Sequence, residues 1–228
     1  MQAGEAMSDG RIIERWVDNS AAWTLAVREG RIASRVRVTN AAVIDAVLAR
    51  SPRSVFDIGC GEGWLARELA GHGIDVYGVD VVPALIESAA RAGVGRFATM
   101  SYETLAEHGI DERFDVCVCN FSLLGESATA RLIAAIPAML NPDGALIVQT
   151  LHPWAACGDE PYRDGWRAGS WCGIEGDFRE PAPWYFRTLH GWMQLFAGAG
   201  LRIESMQEPG DLHASVPLSL ILVAVPDR

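Results

Sequence analysis

Between residues 54 and 150, short apolar runs alternate with helix-patterned stretches, and few folds can absorb such a sequence. The runs are Val55 to Ile58, Val76 to Asp80, Arg96 to Met100, Phe114 to Cys119 and Ala145 to Thr150. Trp64 to Ala70 is helical in pattern and is closed by Gly71 and Gly73. Pro83 to Ala92 carries proline in its first turn and Gly93 just past its end, the usual asymmetry of a helix. Ala128 to Leu140 leads through the turn Asn141-Pro142-Asp143-Gly144 into the fifth run. Strands joined through helices argue for a parallel sheet covered on both faces. Two more strands are expected near Leu201 to Gln207 and Leu218 to Val225. The link between them, Glu208 to Pro217, is short for a helical crossover, so they should pair antiparallel. The expected class is α/β: a doubly wound, mostly parallel seven-stranded sheet with an antiparallel last strand.

Four segments follow from the same pattern. Residues 1–50 form a helical N-terminal cap, with helical spacing in Ile12, Ile13, Trp16 and Val17 and again in Ala42, Val43, Ala46 and Val47. A polar, basic stretch from Arg28 to Asn40 lies between the two sets. Residues 51–150 form the ligand-binding core. Residues 151–187 form an aromatic-rich insertion after the fifth strand, where Trp154, Trp166, Trp171, Trp184 and Tyr185 fall among glycines and prolines that break any regular helix. Residues 188–228 supply a last helix and the strand pair that completes the sheet.

The first strand ends in Asp57-Ile58-Gly59-Cys60-Gly61-Glu62-Gly63, a glycine loop at a strand-to-helix turn. Glycines there let the backbone turn sharply and approach a ligand closely. The dinucleotide fingerprint requires glycine or alanine where Trp64 stands, and the Walker pattern requires a Gly-Lys-Ser/Thr that is absent. What remains is an acidic residue one step before the loop and a second one, Asp80, ending the next strand, where a carboxylate can accept both hydroxyls of a ribose. A tight turn with Asp80 as a mere helix cap would have to explain each of these coincidences separately.

These residues resemble the class I S-adenosylmethionine-dependent methyltransferases, a Rossmann-like family. Val55 to Gly63 looks like the family's first motif and Tyr77-Gly78-Val79-Asp80 like its second. Phe114-Asp115-Val116 through Asn120-Phe121 resembles the motif of the fourth strand, and Leu140 to Gly144 the loop before the fifth. The resemblance implies S-adenosylmethionine as cofactor. It places Asp57, Gly59, Cys60 and Gly61 at the methionine part, Asp80 and Val81 at the ribose, and Asn120 and Phe121 beside the methionyl end. The family's usual acidic residue after the third strand is missing, which leaves Ser101 and Tyr102 as adenine-pocket candidates. The segment Trp23 to Arg37 is expected to cap the cofactor, with Arg35, or else Arg28 or Arg31, placed to pair with its carboxylate.

A sulfonium methyl is already activated, so alignment, desolvation and, for some acceptors, proton removal are what the protein must supply. His152 follows the fifth strand, whose end borders the crevice of an open α/β sheet, and is the expected general base, with His190 as runner-up. Trp154, Trp171, Trp184 and Tyr185 are the expected acceptor-binding residues, although aromatics there would equally staple an irregular lid to the core. The expected reaction is methyl transfer to a small apolar or aromatic acceptor, at oxygen or carbon. The rival readings are a non-catalytic S-adenosylmethionine-binding protein, a nicotinamide-dependent oxidoreductase and a methyltransferase acting on protein or RNA.

Charge narrows the partners. Lys plus Arg total 19 against 29 Asp plus Glu, a net charge of −10 that repels phosphate backbones, so no nucleic acid is expected. The five cysteines show no metal-ligand spacing and suit reduced, buried thiols, so no metal site is expected and a cytoplasmic setting is. Met1 to Trp16 does not read as a signal peptide, and Val216 to Val225 is too short to span a bilayer. A homodimer is left open.

Overall fold

The computed structural model describes residues 7–211 and 216–227. The leader reading at the N-terminus and the link before the last strand therefore fall partly outside the described residues. The chain begins with α1 (Asp9–Arg28), a π-helix (Arg35–Thr39) and α2 (Asn40–Leu48). Then β1 (Ser54–Ile58), α3 (Trp64–Gly71), β2 (Asp75–Asp80), α4 (Pro83–Arg91), β3 (Arg96–Thr99), α5 (Tyr102–His108), β4 (Phe114–Asn120), α6 (Ser127–Met139) and β5 (Leu140–Leu151) alternate. The insertion holds α7 (Pro153–Cys157) and a hairpin, β6 (Gly165–Arg167) with β7 (Trp184–Phe186). The chain finishes with α8 (Leu189–Gly198), β8 (Leu201–Gln207) and β9 (Ser219–Pro226).

The sheet has seven strands in the order β3-β2-β1-β4-β5-β9-β8. The first five are parallel, and β9 runs against both β5 and β8. Both faces are covered. Leu105 of α5, Leu132, Ile133 and Ile136 of α6, and Trp192 and Phe196 of α8 pack on one face with Phe56, Ile58 and Cys117. Val43 and Val47 of α2 and Leu65 and Leu69 of α3 pack on the other with Val55, Val116 and Ile147. Strands buried on both faces read as near-continuous apolar runs, which is why β1 and β5 stand out in the sequence. Cys117 and Cys119 are free, buried thiols on that first face.

The turn expected at residues 141–144 is kept, and two other local features depart from the sequence pattern. Residues 141–144 loop out of the β4–β5 ladder, whose register jumps from Phe114↔Leu140 to Val116↔Ala145. The basic stretch before α2 is wound as a π-helix that joins α2 directly, a form that often marks functional positions. Segment α5 is a short helix whose cap is Ser101, its Oγ accepting from the Thr104 N–H. Among the described residues, no helix is long and apolar enough to cross a membrane.

Strand order reverses between β1 and β4, and ligands of open α/β sheets settle in the crevice at such a point, beyond the carboxyl ends of the strands. Here that crevice is floored by the loops after β1 and β4 and roofed by α1 and the insertion.

Candidate functional site

The glycine loop is folded against the ends of β2 and β4. Gly59 and Cys60 donate their N–H groups to the Val79 carbonyl at 2.8 and 3.0 Å. Gly59 has φ of 78°, and a Cβ there would stand 2.3 Å from Ser122 Cβ and 2.7 Å from the Tyr102 hydroxyl. Ser122 donates to the Ile58 carbonyl at 2.7 Å and Tyr102 to the Ser122 carbonyl at 3.0 Å, so the loops after β1, β3 and β4 are knitted together. Phe121 is held in the left-handed region, φ 53°, a strained conformation for a bulky residue that its N–H bond to the Gln149 carbonyl helps to fix.

These loops open onto a cavity of about 620 Å³. Its wall includes Arg35, Gly59, Cys60, Gly61, Asp80, Val81, Ser101, Tyr102, Asn120 and Phe121, so ten of the residues singled out for the cofactor meet in one place. Asp80 stands at the centre of this group. Its two oxygens accept the Gly61 and Val82 N–H groups, each at 2.9 Å, which leaves lone pairs for further donors. Burial raises its pKa, and the backbone bonds from Val82 and Gly61 pull against that shift.

Asp57 is the exception. It does not line the cavity but lies buried behind the loop, where its Oδ2 has no hydrogen-bond partner. Desolvation first, then repulsion from Asp80, push its carboxyl up to about 7, against the attraction of Arg35. The consequence for stability has a definite sign. An acid whose folded pKa is raised binds more protons folded than unfolded, so its contribution falls as pH rises from about 4 to about 7 and is level above that. Unfolding free energies of wild type and Asp57→Asn should therefore diverge over that window, the wild type losing up to about 1.4 kcal/mol per pH unit relative to the variant. Parallel curves from chemical denaturation would show that Asp57 does not titrate there.

Arg35 is the cation of the cavity's glycine-loop end. It is 8% exposed, its guanidinium lies 4.8 Å from the Trp64 ring and 5.6 Å from that of Trp23, and Nε donates to Asn40 Oδ1 at 3.2 Å. Burial draws its pKa down to about 10, so it stays charged at neutral pH. Its Nη2, together with Thr39 Oγ1 and Asn120 Oδ1, is buried without a partner. All three residues line the cavity, and buried polar atoms left unpaired point to a ligand that completes them. Asp57 and Glu62 are the carboxylates that act on this guanidinium, and Glu62 is shared with Arg28 and Arg67.

The rest of the cavity is mostly apolar, with Asp9, Glu103 and Ser170 among its polar wall residues. Ile12, Ile13 and Trp16 of α1 face Leu124 and Leu151, with Trp171 and Trp184 of the insertion among the walls. Trp16, Trp23 and Trp171 form a cluster with ring centroids 4.9 to 6.5 Å apart, and Phe178 stacks on Trp171 at 4.3 Å. Of the expected acceptor residues, then, Trp171 and Trp184 are in place. Trp154 is 68% exposed and outside the cavity wall, because it lies in the first turn of the surface helix α7. Tyr185 also lies off the wall, edge-on to Trp166 and beneath the Arg187 guanidinium.

Neither histidine reaches the cavity. His152 is buried and caps α7: its Nδ1 accepts the Trp154 N–H at 3.2 Å, which leaves Nε2 to donate to Glu208 at 2.7 Å. Thr150 and Leu151 line the cavity, and at His152 the chain turns into α7, so the ring folds back over that helix start. His190 is exposed at the start of α8, outside the wall. The sequence reading also missed Asp9, Ile13, Trp16, Thr39 and Leu124 as wall residues. The signal available for two walls was the pair Trp16 and Trp23, two turns apart on one helix face.

Among known proteins, the chain matches the model of a methyltransferase-domain family over residues 32–206. It is similar to the ubiquinone biosynthesis O-methyltransferase of Pasteurella multocida (strain Pm70), 29% identical over an alignment of 120 residues that covers 45% of this chain and 50% of that protein. The protein of the same name from Burkholderia ambifaria (strain MC40-6) is 29% identical over 113 residues, 48% of this chain and 49% of that one. The chain thus spans about half the length of the curated relatives it matches. Among solved structures, an S-adenosylmethionine-dependent methyltransferase from Mesorhizobium loti superposes with a TM-score of 0.60 at 22% identity, covering 79% of this chain and 97% of that one. The CcbJ methyltransferase from Streptomyces caelestis gives 0.63 at 17% identity, with 82% and 88% covered. At these identities the superpositions speak to the fold, which they share with the present sheet.

Proposed function

The chain belongs to the methyltransferase-domain family whose model it matches over residues 32–206, and from that premise we propose that it methylates a small apolar or aromatic acceptor with S-adenosylmethionine. One observation carries the reading. A polar cradle with an unpaired guanidinium nitrogen and Asp80 opens directly into an aromatic-walled space, in a single cavity. The relatives named O-methyltransferases support oxygen as the acceptor atom.

S-adenosylmethionine supplies an activated sulfonium methyl. When it is bound, Arg35, with Thr39 beside it on the π-helix, would hold its carboxylate, Asp80 would accept the ribose hydroxyls, Ser101 and Tyr102 would border the adenine, and Asn120 and Phe121 would flank the methionyl end. Ile13, Trp16, Trp171 and Trp184 exclude water and fix the acceptor plane, so orientation and desolvation are the main contributions. His152 is given no part in proton transfer, since its Nδ1 lone pair accepts the Trp154 N–H and the residue lies off the cavity wall.

S-adenosylhomocysteine should raise the thermal midpoint, since a ligand of the native state adds about 2.7 kcal/mol at a hundred times its Kd. A shift with NADH and none with S-adenosylhomocysteine would favour the oxidoreductase reading. With the cofactor bound, a panel of phenols, carboxylic acids and amines and a labelled methyl group should show transfer to phenols first.

A further inference from the structure

Trp64 stands where the dinucleotide fingerprint has glycine or alanine, and a large ring at that place needs a physical reason. It is the first residue of α3, directly after Gly63, whose φ of 80° makes the turn out of the glycine loop. Its side chain is half-buried and is shared between two cavities. It lines the 620 Å³ cavity described above, and it lines a second, surface cavity of about 440 Å³ together with Arg28, Asn40 and Arg67. The ring therefore closes the cofactor cavity on the side of α3, and the residue it meets there is Arg35, whose guanidinium lies 4.8 Å from the ring centroid.

Arg35 depends on such neighbours. A long side chain loses much rotamer freedom when it is ordered, and Arg35 makes no ion pair within the described residues that would hold it. Glu62 and Asp57 act on it only through space. Its positioning contacts are the Asn40 Oδ1, which accepts the Nε–H at 3.2 Å, and the rings of Trp64 and Trp23, at 4.8 and 5.6 Å. A guanidinium within about 6 Å of an indole centroid is attracted by the ring, most strongly where water is excluded. None of these contacts is a hydrogen-bond partner for Nη2, which stays buried and unpaired at the wall of the cavity. A cation set in place this way can receive a carboxylate without first having to order its own chain.

We infer that Trp64 is a positioning residue: its ring fixes the Arg35 guanidinium with Nη2 presented to the cavity, and so sets how strongly the site prefers a ligand that carries a carboxylate. The inference rests on the cavity being the methyltransferase site proposed above. It also accounts for the departure from the dinucleotide pattern. There the position is kept small so that helix and strand pack closely, whereas here it serves a cation.

Calorimetric titration with two ligands tests this: S-adenosylhomocysteine, and its decarboxylated form, which keeps the amine and lacks only the carboxylate. The wild type should prefer the first by at least about tenfold, as expected for charge-assisted hydrogen bonds to a carboxylate. Trp64→Leu and Trp64→Met fill the place without a π face. In both, the preference should fall about fivefold, the worth of one partly shielded cation–π contact, while affinity for the decarboxylated ligand stays within about twofold. Trp64→Phe keeps a ring and should keep most of the preference. In Arg35→Ala the preference is already gone, and adding Trp64→Leu there should change nothing further. Equal weakening of both ligands would make Trp64 a structural support of the glycine loop and overturn the inference, as would the same fivefold fall in the Arg35→Ala background. The ligand-free protein gives a reading that does not depend on binding. The Arg35 Nε–H proton resonance, displaced by the ring current of Trp64, should move in every Trp64 variant that folds, the mild Trp64→Phe included, and an unmoved resonance excludes the contact. Failure of the wild type to bind either ligand overturns the functional reading itself, whereas equal wild-type affinity for the two overturns only the role given to Trp64.

Discussion

Gly59→Ala should lower the thermal midpoint by about 5–10 °C and weaken S-adenosylhomocysteine binding at least about tenfold. The expectation rests on two independent penalties. At φ of 78° a Cβ meets its own backbone, which costs about 1–2 kcal/mol for an L-residue. The added methyl would also lie 2.3 Å from Ser122 Cβ, far inside contact distance, in a place where Ser122 is fixed by its bond to the Ile58 carbonyl. Overpacking of that kind costs about 1–3 kcal/mol. The loop can relieve the clash only by moving away from the β4 end, which carries Gly61 N–H away from Asp80 and spoils the cradle. The contrasting substitution is Gly73→Ala. Gly73 also has a positive φ, 79°, but nothing lies within 4 Å of a Cβ there, so it should pay only the backbone part. Equal Tm losses in the two variants, measured by calorimetry, would show that the Ser122 contact carries no weight.

What the sequence revealed and what it hid divide along a physical line. The cradle is built from short segments that begin where strands end, and each announces itself locally: an apolar run, then Gly59 or Asp80 or Asn120. Neighbouring parallel strands put those ends side by side, so their meeting was predictable once the alternation was read. Asp57 was misplaced by one layer, because an apolar run buried on both faces gives no clue as to which residue faces the crevice. The acceptor walls are different. They come from α1, the start of α6, the end of β5 and the insertion, and only packing brings them together. His152 lies off the wall because the strand ends there: Thr150 and Leu151 line the cavity, and the next residue is taken up in capping α7. Short elements failed for another reason. The seven residues of α5 and the three-residue strands of the β6–β7 hairpin are too brief to show a period.

Asp80 is where the legible half of the site can be tested most sharply. Asp80→Ala should weaken S-adenosylhomocysteine binding by about 1.5–3 kcal/mol, a factor of about 10 to 150, as expected when charge-assisted hydrogen bonds to a buried carboxylate are lost. Two roles contribute. The side chain faces the cavity, and it also anchors the loop through the Gly61 and Val82 N–H groups. Asp80→Asn separates them. An amide can still accept from one of these N–H groups, so the loop is partly held. Its NH₂ cannot accept a second hydroxyl, so the ligand contact is impaired. Affinity should then fall for both variants, while the Tm of the ligand-free protein falls mainly for alanine. Calorimetric titration alongside thermal unfolding gives both quantities. If binding tracks the ligand-free Tm across the two variants, Asp80 acts through the loop alone. If affinity is unchanged in a folded Asp80→Ala protein, the ribose assignment is wrong and the ligand sits elsewhere in the cavity.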